Sequence, residues 1–176
     1  MGDREGVSGQ LLANEIDVVH ESAKKDHNIV IINTCGFIEK AKEESINTIL
    51  DQVELKRRGK IDKVYVTGCL SERYKNNLEA EIPEVDAYFG TMELPGMLKQ
   101  FNAAYKAALI GERLLYIPQH YGYMNIRKAC NRTRRSCAIH LIRAQHVSRP
   151  LEALIAEANR VEDRGVKEVM LIAQGF

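Results

Sequence analysis

From Asn28 to Asn33 the chain runs NIVIIN, with four β-branched residues in succession and no alternation. Such a run predicts a strand buried on both faces of a parallel sheet. It ends at Thr34, Cys35 and Gly36, and apolar positions then recur at helical spacing. Ile38, Ala41, Ile46, Ile49, Leu50 and Val53 share one face, Lys56 to Arg58 put cations in the last turn, and Gly59 is the stop. The same unit repeats. Lys63 to Thr67 (KVYVT) predicts a strand with Gly68 and Cys69 at its end, and Leu70 to Glu81 a helix that closes before Pro83. Val85 to Phe89 predicts a third strand, and Glu93 to Tyr105 is weakly helical. Ahead of these lie a short helix from Gln10 through Leu11, Leu12 and Ala13 and an apolar stretch from Ile16 to Val19.

Past Tyr121 a second region begins, with a short strand at Tyr123 to Ile126 leading into a loop that carries two cysteines. Pro150 suits a first helical turn, Leu151, Leu154, Ile155, Ala158 and Val161 give an apolar face, and Gly165 ends the helix. Val169 to Ala173 then predicts a buried strand. The alternation argues for an α/β protein: a doubly wound, mostly parallel sheet over residues 1–110, a connector at 111–120, and the first unit of a βα barrel at 121–176. The sequence stops at Phe176 where a barrel would begin its next crossover. The expectation is a truncated barrel whose last unit has few partners for its apolar faces.

Composition narrows the classes. The 176 residues suffice for one ordinary domain and a further fragment, and 45% hydrophobic with 28% charged residues is the balance of a globular chain. No run reaches the roughly 18 to 20 apolar residues of a membrane span, and MGDREGVSG is too polar for a signal peptide. A cytoplasmic location without a membrane partner is expected. The net charge of +1 announces no nucleic-acid or membrane surface for the chain as a whole.

Four cysteines, Cys35, Cys69, Cys130 and Cys137, are too sparse for a disulfide scaffold, so they are buried thiols or metal ligands. Cys35 and Cys69 hold the same place in successive units, at the carboxyl edge where open α/β sheets put their ligands. Two thiols there can meet one metal; equally, each can be a small residue filling a tight turn. The segments around them weigh in. NTCGFIEKAKEESI (Asn33 to Ile46) and VTGCLSERY (Val66 to Tyr74) resemble the second and third cysteine motifs of the radical S-adenosylmethionine methylthiotransferase family, nearer to its ribosomal-protein branch than to its transfer-RNA branch. The resemblance runs from Gln10 to Gln174.

That resemblance implies a methylthio group added to the β-carbon of an aspartate in a small-subunit ribosomal protein. One S-adenosylmethionine supplies the methyl group, and another is reductively cleaved to the radical that abstracts hydrogen. It implies two iron–sulfur clusters of the 4Fe-4S type, thiolates being soft anionic ligands suited to iron. Cys35 and Cys69 correspond to two of the three auxiliary-cluster ligands; the family's opening strand and first cysteine have no counterpart in MGDREGVSG. Cys130 and Cys137, in CNRTRRSC, fit the outer positions of the family's CxxxCxxC, and Arg134 occupies the middle one. A guanidinium offers iron no lone pair. Ala129, Ser136, His140 and Gly175 also depart from the family pattern, whereas Arg143 and the VSRP stretch from Val147 to Pro150 keep it. The expectation is an impaired copy.

Three other readings stand beside this one. Cys130, Cys137, His140 and His146 supply two thiols and two imidazoles to a small zinc module, although six residues between the cysteines exceed the usual spacing. Arg127, Lys128, Arg132, Arg134, Arg135 and Arg143 form a basic cluster that could touch ribosomal RNA or stand as a solvated loop, with no interleaved aromatics for stacking. An inactive fragment could still fold and contact the ribosomal partner. His20, His27 and His120 fall in no ligand pattern.

Overall fold

The computed structural model describes residues 2–19, 27–105, 120–128, 130–132, 135, 137, 139–142, 146–163 and 165–173. They fall into two compact units. One comprises Val19–Met97 with Ser136–Arg143, the other Met1–Val18, Leu98–Arg135 and Ala144–Phe176.

The first unit is built on a parallel three-stranded sheet, β1 (Ile29–Thr34), β2 (Lys63–Gly68) and β3 (Ala87–Tyr88), in the order β1-β2-β3. Helices α2 (Glu39–Arg57) and α3 (Cys69–Glu81) make the crossovers, and α1 (Gly2–Leu12) precedes them in the chain. The alternating units thus appear where the periodicity placed them. Crossover helices bury one stripe against the sheet: Ile49 and Val53 of α2 and Leu70 and Leu78 of α3 join Ile32, Val64 and Val66 in one apolar core. Ile38 and Leu50, expected on the apolar face of α2, are instead exposed, because the stripe that meets the sheet runs through Ser45, Ile49 and Val53.

The expectation that β1 is buried on both faces is corrected. Among the described residues β1 pairs with β2 alone, and Ile29 and Asn33 stay exposed while Ile32 and Thr34 are buried. The strand covered on both faces is β2, flanked on each side, with Val64, Tyr65 and Val66 all enclosed. The third strand is shorter than Val85 to Phe89, yet the Asp86 and Phe89 amides still bond the Val64 and Val66 carbonyls at 2.9 and 2.8 Å. The Tyr88 hydroxyl donates to the Ile82 carbonyl at 3.0 Å, and its burial raises the phenol pKa to about 12. At the opposite end of the sheet from the cysteines, Asp86 accepts from Lys56 Nζ at 2.5 Å and from the Val64 amide at 2.8 Å. Helix α5 (Ile139–Ile142) completes this unit and packs on α3.

The second unit holds two small sheets. In one, β4 (Tyr121–Asn125) runs parallel to β7 (Glu168–Ile172); in the other, β5 (Arg127–Lys128) runs antiparallel to β6 (Val147–Ser148). Helix α6 (Leu151–Asp163) makes the long crossover, and Gly165, at φ +80, stops it as expected. The strand expected to be buried at Val169 to Ala173 is β7, and every residue of it is exposed. Among the described residues β4 is its one partner. The apolar face of α6 is likewise half realised, with Leu151 and Ile155 exposed. Its one buried residue is Glu157, which takes a charge-assisted hydrogen bond from Arg149. Helix α1 belongs to this unit, where the Asn14 side chain, two residues past its end, bonds the Ala104 amide and carbonyl at 3.1 and 3.0 Å. The helix begins at Gly2 rather than near Gln10, and the helical stretch expected at Glu93 to Tyr105 contracts to α4 (Leu94–Lys99). The connector at 111–119 lies outside the described residues.

Candidate metal centre

The parallel register of β1 and β2 sets Asn33 against Thr67 and Thr34 against Gly68. The next residue on each chain is a cysteine. Neighbouring strands lie about 4.8 Å apart, so Cys35 and Cys69 leave the sheet side by side at its carboxyl edge. Thr34 Oγ1 locks the pairing by donating to the Thr67 carbonyl at 2.7 Å.

Both cysteine segments need their glycines. A Cβ on Gly36 would stand 2.8 Å from the Cys69 carbonyl oxygen and from the Leu70 nitrogen. A Cβ on Gly68, whose φ is +105, would stand 2.4 Å from the Thr34 carbonyl oxygen. These contacts are too close for any side chain, so Cys-Gly after one strand and Gly-Cys after the other are two halves of one interlocked backbone. Cys69 is the first residue of α3, and Cys35 sits in the loop that enters α2. The Cys35 side is exposed and the Cys69 side half-buried.

Helix α2 reaches both segments. The Cys35 amide donates to Ser45 Oγ at 3.1 Å, and the Ser45 hydroxyl is 2.8 Å from the Ala41 carbonyl of the preceding turn. One turn earlier, Lys42 donates to the Tyr74 hydroxyl of α3 at 3.4 Å and lies 5.1 Å from the ring centroid. Its hydrogen bond to Glu39 raises the ammonium pKa. Tyr74 is where α3 departs from helical geometry, at φ −126 and ψ 22. The third strand end is tied in by Glu72, whose Oε2 accepts from the Thr91 amide at 2.7 Å. Ser45, Lys42, Glu72 and Tyr74 carry no separate signal in a search for ligands. Ser45 alone leaves a mark, as a polar residue on the buried stripe of α2.

Cys130 and Cys137 are both half-buried, and they belong to different units. Arg134, Arg143, Gln174 and Gly175 lie outside the described residues, as does the His140 side chain. His146 is held by its neighbours: its amide donates to Asn131 Oδ1 at 2.7 Å, and its ring Nε2 is 3.2 Å from Ser148 Oγ. Arg127, Arg132 and Arg135 of the basic cluster are exposed.

The donor chemistry at Cys35 and Cys69 suits a soft metal, and the Ser71 hydroxyl, fully buried two residues past Cys69, has no hydrogen-bond partner. Among the described residues, however, no three His, Cys, Asp or Glu side chains gather into a group able to hold a metal ion. A cubane cluster calls for more thiolates than this edge presents. Cys35 and Cys69 would supply two of the thiolates such a cluster needs, and the remaining ligands would have to come from elsewhere. No helix among the described residues is long and apolar enough to cross a membrane.

The model of a family described as "Uncharacterized protein family UPF0004" matches residues 1–90. Curated relatives align over almost the whole chain. The ribosomal protein uS12 methylthiotransferase RimO of Christiangramia forsetii is 57% identical over 172 residues, covering 98% of this chain and 38% of the relative. The proteins of the same description from Flavobacterium johnsoniae and Cytophaga hutchinsonii are 54% and 51% identical, with 40% and 39% of their lengths covered. The chain thus spans about two fifths of the length of the curated relatives it matches.

Proposed function

The chain belongs to the UPF0004 family and is a relative of the uS12 methylthiotransferases, and on that footing we propose that it is a methylthiotransferase component whose sulfur-handling edge is the Cys35–Cys69 pair. Its target would be an aspartate of a small-subunit ribosomal protein, and its place of work the cytoplasm. Residues 1–110 would form the auxiliary-cluster domain, and residues 121–176 the opening of the radical S-adenosylmethionine barrel, with Cys130 and Cys137 directed to its cluster. The observation that supports the reading is the interlocked pair of strand ends, where Cys35 and Cys69 each adjoin a glycine that leaves no room for a side chain. When bound, the iron–sulfur groups would supply electrons and sulfur chemistry; the chain's own share is to hold the thiols and shape the edge.

A second reading is favoured by one residue. Arg134 stands where a third thiolate would be needed between Cys130 and Cys137, which supports a protein that docks on the ribosomal partner without turnover. Anaerobic reconstitution, followed by iron, sulfide and zinc analysis, tests the first reading. Iron and sulfide in equal amounts, lost in Cys35→Ala and Cys69→Ala, are expected. A colourless, iron-free protein overturns it, and zinc alone would mark a zinc module. Formation of 5′-deoxyadenosine with a mass increase on uS12 separates the enzyme from a docking fragment, which would bind uS12 and release no deoxyadenosine.

A further inference from the structure

We propose that Ser45 is a positioning residue for the thiol pair, setting the Cys35 backbone so that its thiol stands beside that of Cys69. The inference rests on the reading that Cys35 and Cys69 bind a soft metal together. Ser45 lies on the buried stripe of α2 and is 9% exposed. A hydroxyl there makes sense by what it touches. The Cys35 N–H, just past the end of β1, donates to Ser45 Oγ at 3.1 Å. The hydroxyl proton goes to the Ala41 carbonyl at 2.8 Å, and the Cys35 carbonyl lies farther off at 3.4 Å. Ser45 is therefore oriented by its own helix and holds the cysteine peptide from behind, leaving the thiol itself exposed. Held in this way, the Cys35 amide is engaged by the hydroxyl. Partners of this kind, one bond removed from the ligand, fix ligand geometry.

The test uses the full chain with Cys130→Ser and Cys137→Ser, so that cobalt(II) added anaerobically reports only the remaining pair through its thiolate charge-transfer band. Replacing Ser45 by Ala is expected to weaken cobalt binding by about tenfold, the scale of lost support behind a metal ligand. It should also change the rate at which metal-free Cys35 is alkylated by iodoacetamide, read by peptide mass mapping. Ser45→Thr, which keeps the hydroxyl, should restore both. Equal affinity and equal alkylation in Ser45→Ala, or a Thr variant as defective as Ala, overturns the proposal. If the parent pair gives no cobalt band while the alkylation difference persists, the metal reading falls and the positioning role stands. Should the Ala variant not fold, amide exchange in the parent chain decides: a protected Cys35 N–H supports the assignment, and a freely exchanging one overturns it.

Discussion

Strands β2 and β7 are both short apolar runs in parallel pairs, and they meet opposite fates. Val64, Tyr65 and Val66 of β2 are at most 1% exposed, while Val169, Met170, Leu171 and Ile172 of β7 are 36% exposed or more. The difference lies in their neighbours. Strand β2 has a strand on each side and two crossover helices packed against it. Among the described residues strand β7 has β4 alone, and its crossover helix turns a buried carboxylate inward, where Arg149 meets it. The first unit is built on an apolar cluster, and the crossover helix of the second turns a buried ion pair inward. An apolar run is an offer of burial, taken up only where other elements supply surface.

Loss of the Glu157 carboxylate should weaken the second unit and spare the first. Glu157→Ala leaves the Arg149 guanidinium, 13% exposed, without its counter-charge, and a cost of about 3–5 kcal/mol is expected. Amide exchange across β4 and β7 should accelerate while β1 and β2 keep their protection. Replacing both members by Leu and Met should recover most of that loss, since a buried pair is weakly stabilising against well-packed apolar residues.

Truncating equivalent leucines reads the apolar side. Leu70→Ala, in the core at 2% exposure, should cost about 2–5 kcal/mol in urea unfolding. Leu171→Ala, at 59% exposure, should stay within about 0.5 kcal/mol. Equal losses would mean that β7 is buried in solution.

The smallest expected effect is electrostatic and confined to the first unit. Burial works to raise the Asp86 carboxyl, but the Lys56 hydrogen bond, the Val64 amide and the charges of Lys56 and Lys63 outweigh it and hold the pKa below its ordinary 3.8. A lowered folded-state pKa gives stability that is present above the ordinary value and lost as pH falls through the folded one. Urea midpoints should therefore drop as pH falls below 3.8, and Asp86→Asn should flatten that limb by about 1 kcal/mol or less. An unchanged acid limb in the variant would remove Asp86 from the account.

The placement of Cys35 and Cys69 at two neighbouring strand ends was legible in the sequence. Cys35 and Cys69 after successive strands, each beside a glycine, already put two thiols on one sheet edge, because parallel strands joined by helices end on the same side. Ser45, Lys42 and Tyr74 were not legible as parts of it. Their roles come from the docking of α2 against α3 and the sheet, and spacing within one helix carries no information about which residue of another helix it will meet. The choice of β2 over β1 as the fully covered strand was hidden for the same reason: NIVIIN is the more apolar run, yet strand order is a property of the assembled sheet.

Local chemistry was settled by the sequence alone: strand, helix and stop at Gly59 and Gly165, the alternation that makes an α/β protein, and the order of cysteine and glycine at each strand end. Those follow from backbone sterics and side-chain periodicity, which act over a few residues. Tertiary structure alone decided which apolar runs became interior, that a buried stripe would spend one position on a hydroxyl holding Cys35, and that Glu157 would lie inward against Arg149. These are pairings between segments distant in the chain, and their free energy exists only once both segments are in place.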